Sequence, residues 1–138
     1  MDDVIINKVA IIERCLNRIS QTYQGKETKL ETDFDCQDAI LLNLMRACEA
    51  SIDAAMHVVR INKLGIPQQS RDAFTLMENN GLLTSHVSNR MQSMVGFRNI
   101  AVHNYQELSI PILRQILEKH LDDFRLYAKA LISISANC

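Results

Sequence analysis

Residues that break a helix are scarce in this chain: four glycines and two prolines are spread over 138 positions. A barrel or sandwich needs many hairpins and draws on Gly and Pro for most of them. Those folds are therefore disfavoured from the start. Between the few breakers, apolar residues return every three or four positions. Ile5, Val9, Ile12, Leu16, Ile19 and Tyr23 form one such stripe across 3–23, the pattern of an amphipathic helix. The polar stretch 24–32 (QGKETKLET) reads as a loop. Asp33 is placed to cap a second helix reaching about Lys63, with Ile40, Leu44, Ala47, Cys48, Ile52, Ala55, Met56 and Val59 inside. Gly65 as C-terminal cap, with Pro67 just beyond, ends it. Ser70 opens a short third helix closed by Asn79-Asn80-Gly81, and Ser85 caps a fourth that runs to about Asn104. Ser109 with Pro111 starts a fifth, whose apolar row is Leu113, Ile116, Leu117, Leu121, Phe124, Ala128 and Leu131.

No alternating strand pattern, repeat or low-complexity tract interrupts this reading. The expected fold is all-α, an antiparallel up-and-down bundle of four long helices and one short one, in a single domain over 1–138. At 47% hydrophobic residues the chain has the material for one core without disulfide or metal staples. Helices two and four hold a surplus beside their main stripes: Leu41, Leu42 and Met45, then Met91, Met94, Val95, Phe97, Ile100 and Val102. That surplus belongs either to a self-association surface or to a larger buried core.

An acidic N-terminus (Met-Asp-Asp-Val) without a small-residue cleavage site is unlike a signal peptide, and no apolar run approaches the ~18–20 residues of a membrane span. Cys15, Cys36, Cys48 and Cys138 show no CxxC pairing and are expected to be free thiols in a reducing cytoplasm. The net charge of −1 argues against a nucleic-acid binder of the ordinary strongly basic kind. It leaves room for a local cationic cleft, with weak non-specific affinity and selectivity set by cleft shape.

The segment Phe97-Arg98-Asn99-Ile100-Ala101-Val102-His103-Asn104-Tyr105 stands apart. One Arg, one His, two Asn and a Tyr crowd nine positions otherwise lined with core-type side chains. Arg98 falls on the line Val87–Met91–Val95–Val102, where an unpaired guanidinium would cost several kcal/mol, so it needs a carboxylate, a wet cleft or an anionic ligand. His103 lies at a helix C-terminus, where the macrodipole favours the imidazolium. Together they are a minimal set for metal-independent RNA cleavage. His103 serves as acid or base on the 2′-hydroxyl or leaving oxygen, and Arg98 stabilises charge on the phosphorane. Asn99, one turn before His103, is placed to orient the ring. A structural His beside a capping Arg–carboxylate pair is the competing explanation. Arg98 and His103 also sit about 140° apart around the axis and ~7.5 Å along it. One helix cannot easily aim both at a single phosphate, whereas two copies across a dimer axis can.

These residues resemble the HEPN superfamily, marked by Arg, a polar residue and then His. Tyr105, two residues after His103, narrows the resemblance to the HepT-like toxins with their Arg-x4-His-x-Tyr pattern. "RACEASIDAAMHVV", "NNGLLTSHVSNRMQSMVGFRN" and "VHNY" extend it over almost the whole chain. The resemblance implies an all-α dimeric ribonuclease toxin with Arg98 and His103 catalytic and a composite site across the homodimer. It also implies a partner, an MntA-type nucleotidyltransferase antitoxin that transfers AMP from ATP to Tyr105. The added phosphate would then compete with RNA for Arg98. The alternative from another class is a non-catalytic HEPN module that partners such a nucleotidyltransferase.

The other candidates are weaker. Asp53 and His57, four apart, make a possible two-ligand clip without a third ligand, so a surface or core-edge His57 is expected. His86 and His120 read as solvated, as do Asp122 and Asp123, and Asp33, Asp35 and Asp38 read as capping or solvated. The six methionines read as core filler. No HExxH, Walker loop or GxGxxG is present, and no metal or cofactor is expected. Arg46, Arg60, Lys63 and Arg90 are candidates for extra phosphate contacts.

Overall fold

A computed structural model of the chain describes residues 1–103 and 108–137. The helices begin where short polar side chains can satisfy free amides. α1 (Asp3–Tyr23) is capped by Asp2, whose carboxylate accepts from the Ile5 amide at 3.0 Å. α2 (Phe34–Ile61) starts as expected from Asp33, which accepts from Cys36 N at 3.0 Å. α3 (Ser70–Asn79) is held by Asp72, which takes the amides of Gln68 and Gln69 at 2.9 and 3.2 Å. α4 covers Ser85–His103. α5 (Ile110–Gln115) opens on Ser109 and Pro111, passes through a π-helical turn at Ile116–His120, and continues as α6 (Leu121–Ala136).

Two helix ends differ from expectation. Thr84, not Ser85, caps α4: its hydroxyl accepts from Val87 N at 3.2 Å, while Ser85 is already helical and donates to Glu78. At the end of α2 the left-handed residue is Lys63 (φ 52°), and the Leu64 amide closes the turn onto Val59 O at 3.0 Å. Gly65 therefore follows the cap instead of forming it.

α1 packs along α2, and α6 closes against α1. α4 lies on α2 and α6, with the short α3 wedged between α2 and α4. The fold is the all-helical bundle the periodicity required. Ile12, Ile19, Leu44, Phe74, Met91, Leu113, Phe124 and Tyr127 are fully buried at its centre. The Tyr127 hydroxyl donates to Ser51 O at 2.8 Å, and its ring meets Phe74 edge-on at 5.5 Å. Cys15, Cys36 and Cys48 are free and buried; Cys138 lies outside the described residues. Among the described residues no helix is long and apolar enough to cross a membrane.

The loop after α1 is less open than its polar composition suggests. Leu30 is buried, and Gln37 donates to its carbonyl at 2.7 Å. Arg114 reaches across to Tyr23, the Glu27 carbonyl and the Glu31 carboxylate. The apolar surplus divides between core and surface. Leu41, Met91, Met94, Val95 and Phe97 join the core, whereas Leu42, Ile100 and Val102 stay 46–49% exposed.

Asp2 ties the N-terminus to two other helices. Its carboxylate meets His57 Nε2 at 2.8 Å, and its amide donates to Ser135 Oγ at 2.9 Å. The hydrogen bond from His57, followed by the Ile5 amide, holds the Asp2 carboxyl below its ordinary range. A depressed carboxyl stabilises the fold above its unfolded value, near pH 4, and loses that contribution as pH falls through the lower folded value. Asp2→Asn keeps the helix cap and removes the charge. Its melting temperature is therefore expected to lie below wild type at pH 6. The two curves should converge as an acid titration passes below the lowered folded value of Asp2, and a gap that stayed constant with pH would refute the assignment.

Candidate functional site

The last two turns of α4 carry the Arg-x4-His segment, and its side chains divide by face. Arg98 turns inward. Its side chain is only 18% exposed, with Nη1 at 3.0 Å from Glu49 Oε1 and Nη2 at 3.5 Å from Ser70 Oγ. The partner the sequence demanded is thus a carboxylate from the middle of α2, with a hydroxyl from the first turn of α3. One atom stays unsatisfied: Arg98 Nε is buried without a hydrogen-bond partner among the described residues. Behind the pair, the Cys48 thiol donates to Met94 O at 3.8 Å. Burial pushes that thiol up to about 12 despite the nearby Arg98 charge, so it stays protonated and inert.

Asn99 and His103 point outward. Both are exposed on the same side of α4, flanked by exposed Ile100 and Val102, and no hydrogen bond joins them. An accessible imidazole at the end of a helix is free to meet a ligand. The guanidinium, by contrast, is fixed against α2 and α3. Tyr105 lies outside the described residues.

The surroundings of Arg98 are graded in charge. Glu49 is half exposed and lines a groove of about 340 Å³ with Lys8, Ile11, Leu42, Met45, Arg46 and Asp53. Arg46, one of the expected phosphate contacts, therefore sits beside the Arg98–Glu49 pair. The others are placed differently. Arg60 Nη2 is 3.0 Å from His57 Nδ1, and Lys63 forms the left-handed turn ending α2. Arg90 bonds Asp123 at 3.0 Å and lines a separate groove with Phe97, Ile112 and His120.

That last contact corrects two readings. Asp123 is buried, not solvated, and its Oδ2 also lies 3.3 Å from His120 Nδ1, so His120 is half-buried in a three-residue network. His120 ends the π-helical turn and lies on the apolar row, four residues after Ile116 and four before Phe124. His57 is a core-edge residue held by Asp2, and Asp53 pairs with Lys8 at 3.4 Å, so the two do not form a clip. His86 is exposed, as expected.

The sequence and the fold both have known counterparts. Residues 12–131 match the family described as Ribonuclease HepT-like. The chain is 50% identical over 127 residues to the mRNA nuclease HepT of Shewanella oneidensis, covering 92% of this chain and 95% of that protein. Its fold superposes with TM-score 0.91 on a tri-AMPylated Shewanella oneidensis HEPN toxin solved in complex with its MNT antitoxin, at 48% identity over 96% of this chain and 99% of the other. A toxin–antitoxin structure with AMP-PNP is similar at TM-score 0.90 and 47% identity, over 95% and 99% of the two chains.

Proposed function

Because the chain belongs to the Ribonuclease HepT-like family, we propose that it is an endoribonuclease toxin whose Arg98 and His103 cleave cellular RNA, and that a nucleotidyltransferase antitoxin silences it by AMPylating Tyr105. The observation that supports this reading best is the split of the Arg-x4-His pair. Arg98 is fixed by Glu49 and Ser70, and His103 is exposed one and a half turns on. The imidazole takes the proton from the 2′-hydroxyl or returns one to the departing 5′ oxygen. The guanidinium, as a planar donor already held in place, stabilises the charge that builds on the phosphorane. Asn99, on the face of His103, orients the ring when RNA is bound.

Within one protomer these two groups diverge, so the site is composite. Two copies meeting through the exposed Ile100 and Val102 bring His103 of each beside Arg98 of the other. Silencing acts through Tyr105, two residues after His103 in sequence. The Tyr105 oxygen attacks the α-phosphate of ATP and pyrophosphate leaves. The tyrosyl-AMP then sets an anion where the RNA phosphate must lie.

The test is coexpression with an MntA-type nucleotidyltransferase, followed by intact-mass spectrometry and an RNA cleavage assay in EDTA. The unmodified protein is expected to cleave without added metal, and the protein carrying AMP increments on Tyr105 is expected not to. Increments on Tyr105 with no cleavage by the unmodified protein would instead identify a non-catalytic partner module.

A further inference from the structure

Gly96 sits in the middle of α4, where glycine weakens a helix relative to alanine and no turn or positive φ requires it. Its neighbours explain the choice. A Cβ built on residue 96 would overlap Nη2 of Arg71, and outside the helix itself only atoms of Arg71 fall within 4 Å of it. The glycine clears a seat for one guanidinium. Arg71 is exposed, in the first turn of α3, directly after the Ser70 that holds Arg98. It has no carboxylate within ion-pair distance among the described residues, whereas Arg90, Arg98, Arg114 and Arg125 each have one.

The face it occupies matters for the chemistry. Gly96 and His103 are seven residues apart, so they fall within about 20° of one another around α4 and about 10 Å apart along it. Asn99 lies between them on the same side. Side chains on a helix lean toward its N-terminus, which brings the imidazole of His103 back toward Gly96. Arg98 projects from nearly the opposite side. Each protomer therefore has a cation on its own His103 face that is independent of the partner's Arg98.

We propose that Arg71 is a phosphate-binding residue of the ribonuclease site, seated on Gly96 so that it grips an RNA phosphate next to the one His103 acts on. The proposal rests on the ribonuclease reading above. Arg71 does no proton transfer; it holds the strand in register beneath His103 and bears on binding more than on turnover.

The experiment measures binding of a mixed-sequence single-stranded RNA by fluorescence anisotropy across a salt series. It uses the His103→Ala chain, which should bind without cutting, with and without a second change. Adding Arg71→Ala is expected to weaken binding roughly tenfold or more at low salt. It should also lower the slope of log affinity against log salt by about 0.7, the loss of one phosphate contact on a single strand. Arg71→Lys should keep the slope. Gly96→Ala should reproduce the loss, because the methyl displaces the guanidinium, while its melting temperature stays level or rises. Unchanged affinity and slope in Arg71→Ala would overturn the proposal, provided His103→Ala has itself stopped cleavage. Cleavage that survives His103→Ala would instead remove His103 from the reaction and with it the placement of Arg71 beside the reacting phosphate, whereas a wild-type chain that cleaves no RNA would overturn the ribonuclease reading itself.

Discussion

His103→Ala is expected to lower RNA cleavage about 10²- to 10⁴-fold, the usual contribution of a positioned acid or base. The melting temperature should stay within about 2 °C of wild type. The separation of the two effects comes from the structure. His103 is the final residue of α4, exposed, and makes no hydrogen bond to another described side chain, so its removal leaves no cavity and orphans no partner among the described residues. A merely structural histidine would show the reverse, with destabilisation and intact cleavage. Single-turnover cleavage of a defined RNA, read beside a thermal melt, distinguishes the two. Wild-type rates in the purified variant would remove His103 from the chemistry.

The bundle itself was readable because each helix is announced by its own short-range chemistry. Asp33 and Ser109 bear their caps, Pro111 sits in the first turn of α5, and Ile5 through Ile19 keep a stripe that only a helix can bury. The differences are local, one or two positions each. Ser85 and Thr84 are equally good caps by type, and only the backbone decides which hydroxyl faces the free amide. Gly65 is the obvious capping residue by composition, yet Lys63 (φ 52°) makes the turn that ends α2, and Gly65 has its own positive φ (139°) two residues further on.

The site was readable in part. A lone Arg on an apolar stripe demands an anion, and the spacing to His103 follows from counting; neither names the partner. Glu49 had one available signal, a single carboxylate amid Ala47, Cys48, Ala50 and Ser51, where small residues let another helix approach. Arg71 had another, a glycine inside a helix with no turn to serve. The Arg90–Asp123–His120 network was legible only in part. Arg90 and Asp123 lie 33 positions apart, beyond any local pattern, whereas His120 falls on the apolar row, four residues after Ile116 and four before Phe124, where the charged neighbours Glu118, Lys119 and Asp122 mask it.

Arg98 allows the sharper experiment, because its two possible roles predict opposite balances of activity and stability. As a structural ion pair it stabilises little: Glu49 is 50% exposed, and a pair so open to water contributes about 1 kcal/mol or less. Truncation also removes a buried Nε that has no partner among the described residues, which offsets part of the loss. As a stabiliser of charge on the phosphorane it is worth far more, about 10²- to 10³-fold in rate for one preorganised donor. Arg98→Ala is therefore expected to lose RNA cleavage by that factor while its melting temperature falls by only a few degrees. Arg98→Lys is expected to recover the ion pair to Glu49 but little of the rate, since an ammonium lacks the fork that holds Glu49 and Ser70 while still presenting a donor to phosphate. In a composite site, mixing Arg98→Ala chains with His103→Ala chains adds a further readout. Heterodimers form one cleft lacking both groups and one cleft intact, so activity should return to about half that of wild type per heterodimer. If the mixture stays as inactive as its components although the subunits exchange, Arg98 and His103 must work within one protomer, and the cross-dimer arrangement is wrong.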